Sequence, residues 1–141
     1  AGAVPFARGE GIWMGQDELY VCCTDGGAAK LGQIFRLTPG RGKKADTLEL
    51  FFESDSTDQF NYGDNLVVAP NGHLVVCEDQ YTDAVDNYLR GIDPAGQAYP
   101  LARLRQQTEL AGACFSPDGK TLFVNAYSPA ATLAITGPWI A

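Results

Sequence analysis

The sequence predicts an all-β fold: a partial β-propeller of about two and three-quarter four-stranded antiparallel blades. Three observations predict it. Short runs rich in Val, Ile, Leu, Phe and Tyr alternate with turn signals along the chain. Sixteen Gly and eight Pro in 141 residues fall between those runs, where they act as punctuation. One segment also repeats. Val-Val-Ala-Pro-Asn-Gly-His-Leu-Val-Val at 67–76 parallels Cys-Phe-Ser-Pro-Asp-Gly-Lys-Thr-Leu-Phe-Val at 114–124. The offset lies within the ~40–50 residues that one propeller blade occupies.

The elements follow in order. Runs at 11–14, 19–24, 33–37 and 47–52 predict a first blade, within 9–53. Runs at 66–69, 74–77, 88–92 and 97–101 predict a second, within 64–102. Runs at 113–116, 121–125 and 132–136 predict three strands of a third, within 112–137. Pro70-Asn71-Gly72 and Pro117-Asp118-Gly119 are hairpin chemistry, because Asn and Gly tolerate positive φ. A sandwich of about ten short strands is the rival architecture, and the repeat period favours the propeller. Propellers close with at least about four blades. This strand count therefore predicts a piece of a propeller, a single partial domain over 1–141.

Composition narrows the function classes. Ten basic and 17 acidic residues give a net charge of −7, which disfavours nucleic acid and anionic membrane surfaces. The acidic excess is compatible with metal cations and also with simple solubility. No apolar stretch approaches the ~20 residues of a membrane helix, and no signal peptide opens the chain. Cys22, Cys23, Cys77 and Cys114 match no CxxC zinc spacing and lie in apolar runs, so buried inert thiols are expected. His73 falls in a hairpin turn and is expected to be exposed; with no second His, a His-based nucleophile site within the chain is disfavoured. Trp13 and Trp139 are expected in core or inter-blade packing.

Candidate chemistry collects at one end of the blades. In antiparallel order, the segment entering the innermost strand and the one leaving the second strand open on the same face. Entering are Arg8-Gly9-Glu10-Gly11, Gly63-Asp64-Asn65 and Glu109-Leu110-Ala111-Gly112. Leaving are Cys23-Thr24-Asp25, Cys77-Glu78-Asp79 and Asn125. Glu10, Asp64, Glu78 and Glu109 are thus predicted at one channel mouth, with Asp25, Asn65, Asp79 and Asn125 nearby. Clustered carboxylates repel unless a cation or protons neutralise them. Hard cations such as Ca²⁺ and Fe³⁺ take oxygen ligands of this type. Asp and Asn at strand ends are also ordinary turn formers, and that role is favoured for Asp25, Asp79 and Asn125. Glu is a poor turn former, so Glu10 and Glu78 are read as functional. Arg8 would share the face of Glu10, where a guanidinium suits bidentate phosphate binding; a plain surface charge is the alternative.

At these residues a family becomes recognisable. Phe6-Ala7-Arg8-Gly9-Glu10-Gly11-Ile12-Trp13 resembles the FxRGEG motif of PhoX-type alkaline phosphatases. Asp64-Asn65-Leu66, Cys77-Glu78-Asp79, the run from Glu109 to Gly119, and Ala134-Ile135-Thr136-Gly137-Pro138-Trp139 are similar to further family segments, in the family's order. The resemblance implies the C-terminal portion of a six-bladed propeller that hydrolyses phosphate monoesters with a calcium and iron cluster at the channel mouth. It implies a monomeric parent in a phosphate-scavenging role, periplasmic or extracellular. Carried over by residue, Arg8 would contact phosphate and Glu10, Asp64 and Glu78 would ligate metal, with Asn65 and Glu109 alongside. The family's thiolate iron ligand belongs to earlier blades and is not assigned to any cysteine here. The chain alone is therefore expected to be inactive. Two other readings stay open: a non-catalytic propeller scaffold, and a calcium-dependent lactonase-like propeller.

Overall fold

The structure, a computed structural model, describes residues 2–80 and 87–140. These residues form eleven strands and no helix. The first sheet comprises β1 (Gly9–Met14), β2 (Leu19–Cys23), β3 (Gln33–Thr38) and β4 (Thr47–Glu53). The second comprises β5 (Gly63–Val68), β6 (Leu74–Glu78), β7 (Asn87–Ile92) and β8 (Ala98–Leu104). The third comprises β9 (Leu110–Phe115), β10 (Thr121–Ala126) and β11 (Ala131–Thr136). Every sheet is antiparallel, with its strands side by side in chain order. The repeated turns close as expected: the Gly72 and Gly119 N–H groups donate to the Ala69 and Ser116 carbonyls, both at 2.8 Å, and both glycines have positive φ.

Three sheets pack in series, where a sandwich has two layers. One core lies between the first and second sheets, built on Tyr20, Cys22, Ile34, Phe52, Leu74 and Val76. Another lies between the second and third, built on Val67, Val75, Leu89, Leu122 and Val124. Period-2 alternation explains the division: Leu74 and Val76 face the first sheet, and Val75 and Cys77 face the third. The innermost strands pack in sequence, β1 on β5 and β5 on β9. The described residues therefore make an arc of a propeller and do not close into a ring.

The far face of the first sheet is apolar as well. Cross-strand register aligns Ile12, Val21, Phe35 and Leu50 in one row, and Met14, Leu19, Leu37 and Leu48 in the next. Ile12, Met14, Leu48 and Leu50 are exposed, and Phe6 packs edge-on against Phe35 at 5.1 Å.

Three expectations change. Trp13 is 40% exposed, whereas Trp139 is buried against Phe115. Cys114 is exposed, because β9 turns it to the outer face of the third sheet; Cys22, Cys23 and Cys77 are buried. His73 is only partly exposed, and its Nδ1 lies 2.8 Å from the Tyr99 hydroxyl.

Candidate metal centre

The innermost strands begin two to three residues earlier than the apolar runs suggest, because each carries a β-bulge. In β1, Gly9 faces Cys23 and Ile12 faces Val21, leaving Glu10 and Gly11 opposite Cys22 alone. In β5, Gly63 faces Glu78 and Leu66 faces Val76, leaving Asp64 and Asn65 opposite Cys77. In β9, Ala111 faces Asn125 and Cys114 faces Phe123, leaving Gly112 and Ala113 opposite Val124. Glu10 and Asp64 thus lie within bulged strands, not in the loops expected for them. A bulge re-aims the side chains it carries.

A second repeated device fixes the mouth. The residue just beyond each second strand donates its N–H to a carbonyl beside the start of the innermost strand. The pairs are Thr24 to Arg8 at 3.0 Å, Asp79 to Tyr62 at 2.8 Å, and Tyr127 to Glu109 at 3.0 Å. Arg8 and Tyr62 adopt left-handed φ of 47° and 53°, which non-glycine residues hold only where surrounding contacts enforce it.

Asp64, Asp79 and Glu109 converge on this mouth. One carboxylate oxygen from each lies within 4.8 Å of the others. Asp64 is 9% exposed. Its carboxyl is pushed up to about 6, first by burial and then by the charges of Glu10, Asp79 and Glu109, with Arg8 opposing. Glu10 and Arg8 therefore stand within electrostatic reach of the same group. The Arg8 guanidinium lies 3.7 Å from the Glu10 carboxylate, both half-exposed. Asn65 joins the blades: its Oδ1 accepts the Gly112 N–H at 2.7 Å and its Nδ2 donates to Asp64 Oδ1 at 3.2 Å.

Glu78 is placed differently. It is fully buried, and Oε1 accepts Arg90 Nε at 2.6 Å and the Asn61 N–H at 2.9 Å. Oε2 accepts the Tyr88 N–H at 3.0 Å. Burial raises its carboxyl above the ordinary value; the Arg90 charge and these donors oppose the rise. Of the four carboxylates expected at the mouth, Asp64 and Glu109 come together, and Glu10 stands within electrostatic reach of Asp64. Asp79, read as a turn former, stands beside them. Alternation along β6 carried the signal, since Glu78 continues the Leu74–Val76 face and Asp79 takes the other side.

Hard oxygen donors from three carboxylates suit a cation such as Ca²⁺. Burial pushes the Cys77 thiol up to about 12 and raises Cys22 further, and Cys22 Sγ donates to the Gly63 carbonyl at 3.1 Å. Asn125 Oδ1 accepts the Thr132 hydroxyl at 2.8 Å.

The described residues thus form an arc of propeller blades whose mouth gathers three carboxylates beside an arginine. The chain belongs to the PhoX family: the family described as alkaline phosphatase PhoX matches residues 1–130. A comparison with curated proteins found no match.

Proposed function

We propose that this chain supplies part of the active site of a phosphomonoesterase. The observation that carries the reading is the meeting of Asp64, Asp79 and Glu109 within 4.8 Å, beside Arg8 and Glu10, in a chain of the PhoX family. Asp64, Asp79 and Glu109 would hold a hard cation, and Ca²⁺ and Fe³⁺ are the cofactors we infer. The chemistry such a cation supplies is electrostatic: it offsets charge on the phosphoryl oxygens. Arg8 would bind and orient the phosphate through its guanidinium fork, and Glu10 would hold that fork at the mouth. Asn65 keeps Asp64 aligned while fastening the second sheet to the third. An arginine next to the acidic group favours an anionic phosphoester over a lactone. We further propose a monomeric parent, exported to the periplasm or beyond.

The described sheets form only an arc, so turnover needs groups beyond the carboxylates that would hold this cation. The 141-residue chain is expected to turn over p-nitrophenyl phosphate at background rate with Ca²⁺ and Fe³⁺ present. Grafted in place of the matching segment of an active PhoX-type enzyme, it is expected to support turnover, and Glu10→Gln in the graft to abolish it. Full activity in that graft variant would refute the role of Glu10.

A further inference from the structure

We propose that Glu78 and Arg90 form a positioning pair that sets the cation site from behind, with Glu78 not itself a ligand. The inference rests on the site reading above. The Glu78 carboxylate touches every segment that delivers the carboxylates of the second sheet. Its Oε1 accepts the N–H of Asn61, which precedes the left-handed Tyr62 and the start of β5 that carries Asp64. Its Oε2 accepts the N–H of Tyr88 in β7. The next residue along the chain is Asp79, whose N–H is bound by the Tyr62 carbonyl.

Arg90 completes the frame. Its side chain is 4% exposed, and its guanidinium lies over the Tyr88 ring at 4.1 Å. Its Nη1 donates to the Asp58 carbonyl at 2.8 Å and its Nη2 to the Thr57 carbonyl at 3.3 Å. The pair therefore ties the segment before β5 to β6 and β7. A shift of either partner would move Asp64 and Asp79 relative to Glu109. A carboxylate with three donors and no exposed surface is committed to its frame; turning it toward a cation would leave the Arg90 charge buried and unpaired.

The two roles predict opposite signs. If Glu78 were a ligand, removing Arg90 would release a competing cation, and Ca²⁺ would bind as tightly or more so. If the pair positions the site, Arg90→Gln should weaken Ca²⁺ binding by about tenfold, the lower end of what outer-shell changes cost a metal site. Arg90→Lys keeps the charge but loses the fork to Asp58 and Thr57, so its loss should be smaller than that of the Gln variant.

The test is isothermal titration of the 141-residue chain and both variants with Ca²⁺ at pH 7.5, alongside circular dichroism and thermal unfolding. A graded loss of affinity, from wild type through Lys to Gln, supports the pair. Unchanged or tighter binding in a folded Arg90 variant overturns it, even if that variant melts earlier, because a merely structural role moves stability alone. If the Gln variant does not fold, the Lys variant decides by the same sign. Failure of the wild-type chain to bind Ca²⁺ would remove the site reading itself, and with it the pair. Binding by wild type with no loss in the variants would remove only the pair.

Discussion

Asp64→Asn is expected to weaken Ca²⁺ binding by at least about 100-fold, the upper end of what outer-shell changes cost, and to flatten its pH dependence. The folded-state carboxyl sits at about 6, above an unfolded value near the ordinary ~3.9. Without a cation the folded chain holds this proton more tightly than the unfolded chain does. The contribution of Asp64 to stability is therefore fully present below about pH 4 and is lost as pH rises through about 6. Calcium reverses the balance, because it binds the ionised form and displaces the proton. Wild-type affinity should climb by up to about tenfold per pH unit below pH 6 and level off above it. The Asn variant, with no proton to lose, should show neither that slope nor the fall in apo stability. Calcium titrations and thermal unfolding between pH 4.5 and 8 measure both. A variant that keeps the wild-type slope would show that another group titrates at the mouth.

Gly11→Ala is expected to have the largest effect among changes that remove no ligand. Gly11 is buried where β1 meets β5. A Cβ there would overlap the Asp64 carbonyl oxygen and stand 2.9 Å from Asn65 Cα and 3.0 Å from Leu66 N. All three are backbone atoms of the strand carrying the site, so no side chain can rotate aside. Relief requires the inner strands of the first two sheets to separate. Overpacking of this kind costs about 1–3 kcal/mol, and rigid neighbours place it at the upper end. At about 3–4 °C per kcal/mol for a chain this size, the unfolding midpoint should fall by roughly 10 °C. The same separation carries Arg8 and Glu10 away from Asp64, so Ca²⁺ affinity should fall as well. A midpoint within about 2 °C of wild type, on the same scale, would mean that the two strands do not approach as closely as described.

Most of the fold was legible in the sequence. Tyr20-Val21-Cys22 and Leu74-Val75-Val76 alternate between faces, and Pro-Asn-Gly and Pro-Asp-Gly demand hairpins, so local chemistry alone locates the strands. The bulges were not legible. Each adds one residue within an inner strand, and nothing in the composition of Gly9-Glu10-Gly11 or Gly63-Asp64-Asn65 marks which residue is extra. The start of each inner strand was misplaced for that reason.

The site divided along the same line. Arg8, Glu10 and Asp64 could be placed at one mouth from strand order, because they adjoin the axis in every register. Glu78 and Asp79 could not be ranked by residue type, since Glu is the poorer turn former and drew the functional reading. Alternation along β6 sends them to opposite sides, and the partner fixes Glu78 in its place. Arg90 lies 12 residues from Glu78 on the next strand, inside an apolar run, and nothing local pairs them. Cys114 escaped for a similar reason: an apolar run in a strand has two faces, and the second sheet covers only one face of β9.

A crystal structure of the 141-residue chain grown at pH 7.5 with Ca²⁺ tests the central claim most directly. A cation at about 2.3–2.6 Å from oxygens of Asp64, Asp79 and Glu109 is expected, with Glu78 still paired to Arg90. Calcium bound elsewhere, or a mouth that stays empty at millimolar calcium, would contradict it.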